Sequence, residues 1–190
     1  MPLPKPEQKY SYADYLTWDE SERCEIIDGV PYMQAAPSRV HQEISMELST
    51  QFHTYLKGKT CRVFAAPFCV RLDLEKNDYD VKNVVEPDIT IVCDSSKLDE
   101  RGCKGSPTMI VEILSPSTGK KDRVDKFNKY EKAGVLEYWV VEPDQKIVSV
   151  FLLQSNGRYG RPEMYTEEDK IKVLILSDLE IDLKPVFEKI

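Results

Sequence analysis

Residues 86–142 contain two short runs with apolar centres, EPDITIVCD (86–94) and PTMIVEILS (107–115), followed by the lysine-rich segment KKDRVDKFNKYEKAG (120–134). Asp88 stands at the start of the first run, and Glu112 interrupts the middle of the second. Runs of this length and apolar content are typical of buried β-strands. The lysine-rich segment predicts a helix over 122–133 that ends at Gly134. Because two acids and a lysine-rich helix follow one another so closely, this segment is the strongest candidate in the chain for chemistry.

Glu112 is the more informative of the two acids. A carboxylate inside a continuous apolar strand must be partnered, bind a cation or become protonated, because burying it unpaired costs several kcal/mol. An internal salt bridge would satisfy it. Alternatively, Glu112 and Asp88 on adjacent strands could together hold Mg²⁺ or Mn²⁺, hard cations that prefer oxygen ligands. The residues alone leave both interpretations open.

Among the lysines of the predicted helix, we expect Lys126 to take part in the chemistry of the site. Asp122, Lys126 and Tyr130 recur at four-residue spacing and therefore form one row at the border of the packed face. We expect Asp122 to hold the Lys126 ammonium by a hydrogen bond and Tyr130 to pack along its stem. Lys129 and Lys132 should turn further toward solvent.

Two further polar residues lie on elements upstream. Asp28-Gly29 between two apolar runs predicts a tight hairpin, with Glu25 on its first strand. Apolar residues at helical spacing predict an amphipathic helix over 38–56, and His41 falls inside its apolar stripe. Glu25 could be an ordinary outward-facing strand carboxylate, and a lone inward histidine is more often a core residue than a ligand.

Other apolar runs predict the remaining strands. CRVFAAPFCVRLDL (61–74) is rich in β-forming residues, and Pro67 inside it indicates a bulge or an edge position. The runs at 138–141 and 147–153 predict two strands joined by a turn. A structural alternative to any ligand site is that these two strands form the edge of a homodimer.

Composition bounds the class of protein. A chain of 190 residues with 41% hydrophobic residues can bury about 70% of its unfolded surface, which suffices for one core. We therefore expect a flexible lead-in over 1–9 and a single domain over 10–190. The five cysteines are odd in number and form no C-x-x-C pair, so we expect reduced thiols in a cytoplasmic protein. No apolar run approaches the ~18 residues of a membrane helix.

The net charge of −7 argues against broad non-specific binding to nucleic acid, but it hides a basic segment. Residues 101–132 contain eight Lys and Arg against four Asp and Glu, a local charge of +4. A basic face beside paired carboxylates suits a polyanionic substrate held near a divalent metal, although a solvated helix face has the same composition. We expect Lys120, Lys121, Arg123 and Lys129 to supply the contacts to nucleic acid.

Six motifs, taken in order, resemble one known family. They are C-E-I-I-D-G (24–29), His41-Gln42 at the start of a helix, E-P-D-I (86–89), V-E-I-L-S-P-S-T (111–118), D-x3-K-x3-Y (122–130) and G-V-x-E-Y-W-V-V (134–141). Together they look like the Uma2 family, also called DUF820, over about residues 12–187, and this family resembles the PD-(D/E)XK nuclease superfamily. The resemblance implies an α+β (α/β) fold with a restriction-endonuclease-like core, a mixed curved β-sheet flanked by helices.

The resemblance also implies roles for the residues of the first paragraph. Asp88 matches the first acid of the superfamily and Glu112 the second, and both would be catalytic and bind the metal. The superfamily lysine, two positions after the second acid, is Leu114 here. Lys126 on the following helix is therefore the natural replacement.

Glu25 and His41 match other family positions, and either could complete the metal shell. The implied activity is Mg²⁺- or Mn²⁺-dependent hydrolysis of phosphodiester bonds in nucleic acid, with DNA as the expected substrate and a homodimer as the expected assembly. The alternative is a non-catalytic module that keeps the nuclease fold and binds nucleic acid or protein. Leu114 and the acidic net charge favour that alternative.

Overall fold

A computed structural model of the protein describes residues 8–19, 23–74, 77–115, 122–176 and 178–188, with Asp122 and Arg123 described for the backbone alone. None of the helices in these ranges is long and apolar enough to cross a membrane. Residues 1–7 of the predicted lead-in lie outside the described residues. Lys9, near the end of the lead-in, donates from its ammonium to the carbonyl oxygen of Asp28 (2.7 Å), which ties that part of the chain to the hairpin.

The described residues contain fourteen short β-strands. In chain order they are β1 (Cys24–Ile27), β2 (Val30–Met33), β3 (Arg62–Ala65), β4 (Val70–Arg71), β5 (Val84–Val85), β6 (Ile89–Val92), β7 (Leu98–Asp99), β8 (Gly102–Lys104), β9 (Met109–Ile113), β10 (Glu137–Glu142), β11 (Ile147–Leu152), β12 (Glu163–Thr166), β13 (Lys170–Lys172) and β14 (Glu180–Asp182). β1 and β2 form the predicted hairpin. Its turn residues Asp28 and Gly29 have φ values of 51° and 77°, a conformation that favours this residue pair.

The α-helices of the described ranges are α1 (Tyr12–Tyr15), α2 (Arg39–Leu56), α3 (Phe127–Ala133) and α4 (Leu183–Phe187), and Ser95–Lys97 forms a 3-10 helix. A π-helical turn, Asp122–Lys126, runs directly into α3, so the predicted helix over 122–133 is confirmed. α2 begins where the side chain of Ser38 accepts a hydrogen bond from the backbone N–H of His41 (3.2 Å). α3 ends because Gly134 adopts a left-handed conformation, with φ of 86°.

The main sheet has six strands in the order β12-β11-β10-β9-β6-β3. β9 and β10 are parallel, and the other neighbours are antiparallel, so the sheet is mixed, as predicted. A parallel pair needs a crossover connection, and here the helical segment 122–133 lies within it. This connection places α3 over one face of the sheet.

β10 and β11 lie inside the main sheet. β10 pairs with β9 on one side and β11 on the other, and β11 pairs in turn with β12. The hypothesis that the strands at 138–141 and 147–153 form a homodimer edge is therefore wrong, because both sides of each strand are already paired. A homodimer stays a prediction to which no surface is assigned.

A second sheet has the order β2-β1-β5-β4-β8-β7, and β13 and β14 form a separate pair. Prolines stand at two of the points where the chain passes between the large sheets: Pro67 separates β3 from β4, and Pro87 separates β5 from β6. Proline has no N–H to continue a ladder, which favours a change of partner at these points. Pro67 thus marks a crossing next to the edge strand β3. Asp88 follows directly on the second crossing.

Apolar side chains cover both faces of the main sheet. The first face packs against α2 and α4 and buries Ile44, Leu48, Phe52, Ile89, Val111, Trp139, Val186 and Phe187. The second face packs against α3 and the second sheet and buries Val70, Val85, Ile110, Tyr130, Tyr138 and Val140. Each large apolar side chain buried in this way contributes about 1.5–3 kcal/mol.

Two of the five cysteines, Cys61 and Cys93, form a disulfide bond, with Cα atoms 3.9 Å apart. Cys61 precedes β3 and Cys93 follows β6, and the antiparallel pairing of these strands brings the two residues together. The prediction of reduced thiols is therefore wrong for this pair, because cross-strand neighbours need no particular spacing in sequence. Cys24, Cys69 and Cys103 remain thiols. Burial raises the pKa of Cys69 to about 12 and that of Cys103 to about 11.

Alkylation should report this bond directly. In protein unfolded without reductant, we expect mass spectrometry to find three labelled cysteines, Cys24, Cys69 and Cys103, because the other two are bonded to each other. Reduction before labelling should add Cys61 and Cys93. The Cys61→Ser/Cys93→Ser double variant is the control, with the same three labels under both conditions. Five labels on unreduced protein, alkylated at lysis, would contradict the disulfide.

Candidate active site

The two predicted acids lie opposite each other on neighbouring strands. β6 and β9 pair antiparallel with Ile89 opposite Val111, and continuing this register by one residue places Asp88 opposite Glu112. The backbone N–H of Ile113 donates to Oδ2 of Asp88 (2.7 Å), which holds the carboxylate against β9. Because side chains alternate along a strand, both acids point to the face of the main sheet that α3 covers.

Glu112 is buried, with 3% of its surface exposed, and one of its oxygens has two donors. Oε1 accepts from the Lys126 ammonium (3.0 Å) and from the Tyr130 hydroxyl (2.5 Å). The internal salt bridge, one of the two interpretations of this residue, is therefore present. The Lys126 ammonium and the Tyr130 hydroxyl thus compensate the buried carboxylate.

Lys126 is buried between two carboxylates, with 3% of its surface exposed. Besides Glu112, its ammonium contacts Oε1 of Glu25 (2.8 Å), which belongs to the second sheet. The same oxygen of Glu25 accepts the backbone N–H of Glu86 (2.9 Å). Lys126 thus lies on the packed side of the helix, and the approach of the second sheet encloses it. Its predicted partner, Asp122, lies where no side chain is described.

Tyr130 completes the buried network. Burial, together with the charges of Glu112 and Glu25, raises the pKa of the Tyr130 hydroxyl well above its usual value. The hydroxyl therefore stays protonated at neutral pH and donates to Glu112. Tyr130 and Lys126 converge on the same oxygen.

His41 faces inward from the first turn of α2, as its place in the apolar stripe predicted. Its Nε2 lies 3.1 Å from Oδ1 of Asp88, and the side chain is 13% exposed. The other ring nitrogen, Nδ1, is buried and has no hydrogen-bond partner in the described part of the chain. The histidine is thus aimed at the first acid.

A cleft of about 800 Å³ opens beside these side chains, between the start of α2, the ends of β6 and β9 and the β10–β11 turn. Asp88, His41, Glu112, Lys126 and Leu114 all line it. The charged side chains among its described lining residues are five acids, Glu86, Asp88, Glu112, Glu142 and Asp144, against two bases, Arg23 and Lys126. This excess of negative charge would repel a phosphodiester unless cations reduce it.

Two carboxylates and one imidazole are the candidate ligands for a divalent cation in this cleft. In the described ranges, no group of three or more His, Cys, Asp or Glu side chains is arranged to hold a metal ion. Mg²⁺ nevertheless usually keeps several waters and is bound through one or two carboxylates plus substrate phosphates. Asp88 and Glu112 on one face of adjacent strands fit that pattern, and the imidazole of His41 lies beside Asp88.

Sequence reasoning missed Arg23, Glu86 and Tyr15. Nε and Nη2 of Arg23 donate to Oε2 of Glu86 (3.0 and 2.9 Å), and the Tyr15 hydroxyl donates to Oε1 (3.1 Å). Since the Glu86 N–H binds Glu25, this cluster positions the acid that holds Lys126. The sequence feature that could have indicated Glu86 as a site residue is its position two residues before Asp88.

Of the four residues predicted to contact nucleic acid, one, Lys129, has a described side chain. Lys120 and Lys121 lie outside the described residues, and the side chain of Arg123 is not described. Lys129 is not free in solvent as predicted: its ammonium forms an ion pair with Asp28 at the hairpin turn, and 18% of its side chain is exposed. A DNA phosphate could bind the Lys129 ammonium only in competition with Asp28.

The fold is that of a nuclease-like α+β protein. A crystal structure from Anabaena variabilis ATCC 29413, described as "a putative nuclease belonging to DUF820", matches this chain with a TM-score of 0.74. The match covers 94% of this chain and 97% of the other. The two sequences are 20% identical, so this likeness concerns the fold alone.

The chain belongs to the Uma2 family. The family model, described as "Putative restriction endonuclease", matches residues 12–184. The "Uncharacterized protein slr1290" of Synechocystis sp. (strain ATCC 27184 / PCC 6803 / Kazusa) is 32% identical over 138 residues, which are 72% of this chain and 70% of the relative. The family and fold class inferred from the sequence are confirmed.

Proposed function

We propose that this protein is a Mg²⁺-dependent endonuclease that hydrolyses phosphodiester bonds of DNA. The observation that carries the proposal is the placement of Asp88 opposite Glu112 on adjacent strands, with both lining one cleft. The family and the fold support a nuclease-like function. The proposal goes beyond this support in three respects: dependence on a metal, DNA as the substrate and the roles of the site residues.

Asp88 and Glu112 would hold the cation, with His41 beside Asp88. When bound, the cation would stabilise charge on the phosphoryl oxygens and lower the pKa of an attacking water. The Ile113 N–H fixes the rotamer of Asp88, so its remaining lone pairs are oriented before any ligand arrives. The acid-rich lining of the cleft also supports a requirement for cations.

Lys126 would take the place of the superfamily lysine that is absent at Leu114. Its ammonium reaches the second acid from the π-helical turn that leads into α3, and both Lys126 and Leu114 line the cleft. It would orient the attacking water or stabilise the charge that develops on the phosphate. Glu25 and Tyr130 are positioning residues in this scheme, because they contact Lys126 and Glu112.

A non-catalytic binding module is the second candidate. The observation that favours it is the pairing of Lys126 with two carboxylates, since an ammonium compensated in this way stabilises less new charge on a substrate. Such a module would keep the fold and bind DNA without cleaving it. Cleavage therefore separates the two candidates.

Incubation with supercoiled plasmid DNA tests the proposal. We expect nicked and linear products with Mg²⁺ or Mn²⁺ and none with EDTA, because the acid pair would need a cation to act. Calorimetric titration of Mn²⁺ into DNA-free protein should give binding that the Asp88→Asn/Glu112→Gln variant lacks. Mn²⁺ binding and DNA binding without cleavage would support the module, whereas no Mn²⁺ binding would overturn the metal site itself.

A cytoplasmic location, where such a nuclease would meet DNA, belongs to the same proposal. The Cys61–Cys93 disulfide is an observation against it, because disulfides are rare in reducing compartments.

A further inference from the structure

A second, smaller pocket lies on the same face of the main sheet, next to the cleft. It has a volume of about 200 Å³ and is lined by Phe127, Val140, Glu142, Ser149 and Phe151. Glu142 also lines the large cleft, so the two spaces are neighbours. The proposed hydrolysis gives these five residues no role.

The strand register relates this pocket to the acid pair. Glu112 on β9 lies opposite Val140 on β10, and Val140 lies opposite Ser149 on β11. Since neighbouring strands are about 4.8 Å apart, Ser149 is about 10 Å from Glu112 across the sheet. Residues paired directly across strands share a face. A substrate bound at the acids could therefore extend one of its groups into the pocket.

The walls of the pocket select the chemistry of that group. The rings of Phe127 and Phe151 pack edge to face, with centroids 5.1 Å apart, and provide aromatic surface. Ser149 is 8% exposed and brings a hydroxyl that can both donate and accept a hydrogen bond. None of the five lining residues is Lys or Arg, and Glu142 would repel an anion. The pocket thus suits a flat, neutral ring with polar edges and disfavours a phosphate.

We propose that this pocket binds one unstacked nucleobase of the DNA substrate, next to the phosphate held at Asp88 and Glu112. The inference rests on the proposed function and adds to it the form of the substrate. The volume, about 200 Å³, is below the ~300–1,000 Å³ of sites for whole drug-sized ligands, which fits a single base better than a nucleotide. A base can enter only when it leaves the helical stack, so the substrate is single-stranded or has a flipped nucleotide at this position.

The affinities of two matched DNA oligomers test the pocket without any need for cleavage. An oligothymidylate and an abasic sugar–phosphate chain of equal length carry the same phosphates and differ only in their bases. Fluorescence anisotropy, in Ca²⁺ and in EDTA, should give about tenfold or greater preference for the oligothymidylate, the effect of stacking one base on an aromatic side chain. Ser149→Leu, which fills the pocket, should reduce this preference toward one and leave the affinity for the abasic chain unchanged.

Ser155→Leu is the matched control, since Ser155 is exposed in the turn after β11. It should keep the preference of the unmodified protein. A preference that is equal in Ser149→Leu and Ser155→Leu, or absent from the unmodified protein, overturns the inference. The inference is also overturned if neither the oligothymidylate nor the abasic oligomer binds.

Photocrosslinking covers the case in which Ser149→Leu does not fold. An oligonucleotide containing 5-iodouracil should crosslink the unmodified protein at Phe127 or Phe151, and crosslinks confined to other segments would overturn the inference. The two proposals fail separately. Base preference without cleavage in Mg²⁺ removes only the nuclease, and cleavage without base preference removes only the base pocket.

Discussion

Asp88→Asn is expected to reduce Mg²⁺-dependent cleavage by about 10²-fold or more, measured as kcat at saturating DNA. The substitution removes one anionic oxygen from the proposed cation site and keeps the shape of the side chain. An amide oxygen can still accept the Ile113 N–H, so the fold should be preserved. Urea unfolding of the same preparation should give a midpoint close to that of the unmodified protein.

Asp144→Asn is the matched control for this loss. Asp144 lines the same cleft from the β10–β11 turn, and its side chain is exposed. If Asp88 acts as a specific ligand, Asp144→Asn should leave kcat nearly unchanged, although it alters the charge of the cleft equally. Equal losses in the two variants would show that only the general charge of the cleft matters. Full activity in Asp88→Asn would remove Asp88 from the site.

Lys126→Ala is expected to destabilise the protein by about 3–5 kcal/mol, because it leaves buried carboxylates without their cation. Glu25 is 0% exposed and Glu112 3%, so both acids would lose their ammonium partner while remaining largely shielded from bulk water. The free energy of unfolding in urea at neutral pH measures the effect. Lowering the pH should recover part of the loss, since protonation removes the charge of the unpaired acids.

Two comparisons make this prediction specific. Lys132→Ala removes an exposed lysine from the same helix and should change stability by no more than about 0.5 kcal/mol. Combining Lys126→Met with Glu25→Gln removes one charge of each sign and should be less destabilising than Lys126→Met alone. Equal stabilities of Lys126→Ala and Lys132→Ala would show that the buried network contributes little. A double variant no better than the single one would mean that packing, and not charge, dominates.

Local chemistry made much of the fold predictable. The Asp28-Gly29 turn, the helix after Ser38 and the helix ended by Gly134 depend on backbone conformations that neighbouring residues set, and all three are present. The apolar runs that contain or follow the two acids form β6 and β9 as predicted. The motifs in order also identified the family.

The sequence by itself thus determined the elements, their ends and the presence of an acid inside a core strand. Only the tertiary structure decided which of these strands and side chains contact one another. The contact of Lys126 with Glu25, the disulfide between Cys61 and Cys93 and the interior position of β10 and β11 each join segments that are distant in the chain. Strand pairing and the closure of one sheet against another create these contacts, and no local pattern encodes which segments meet. Lys126 is buried for this reason, since the helical spacing places it at a border that the second sheet then covers.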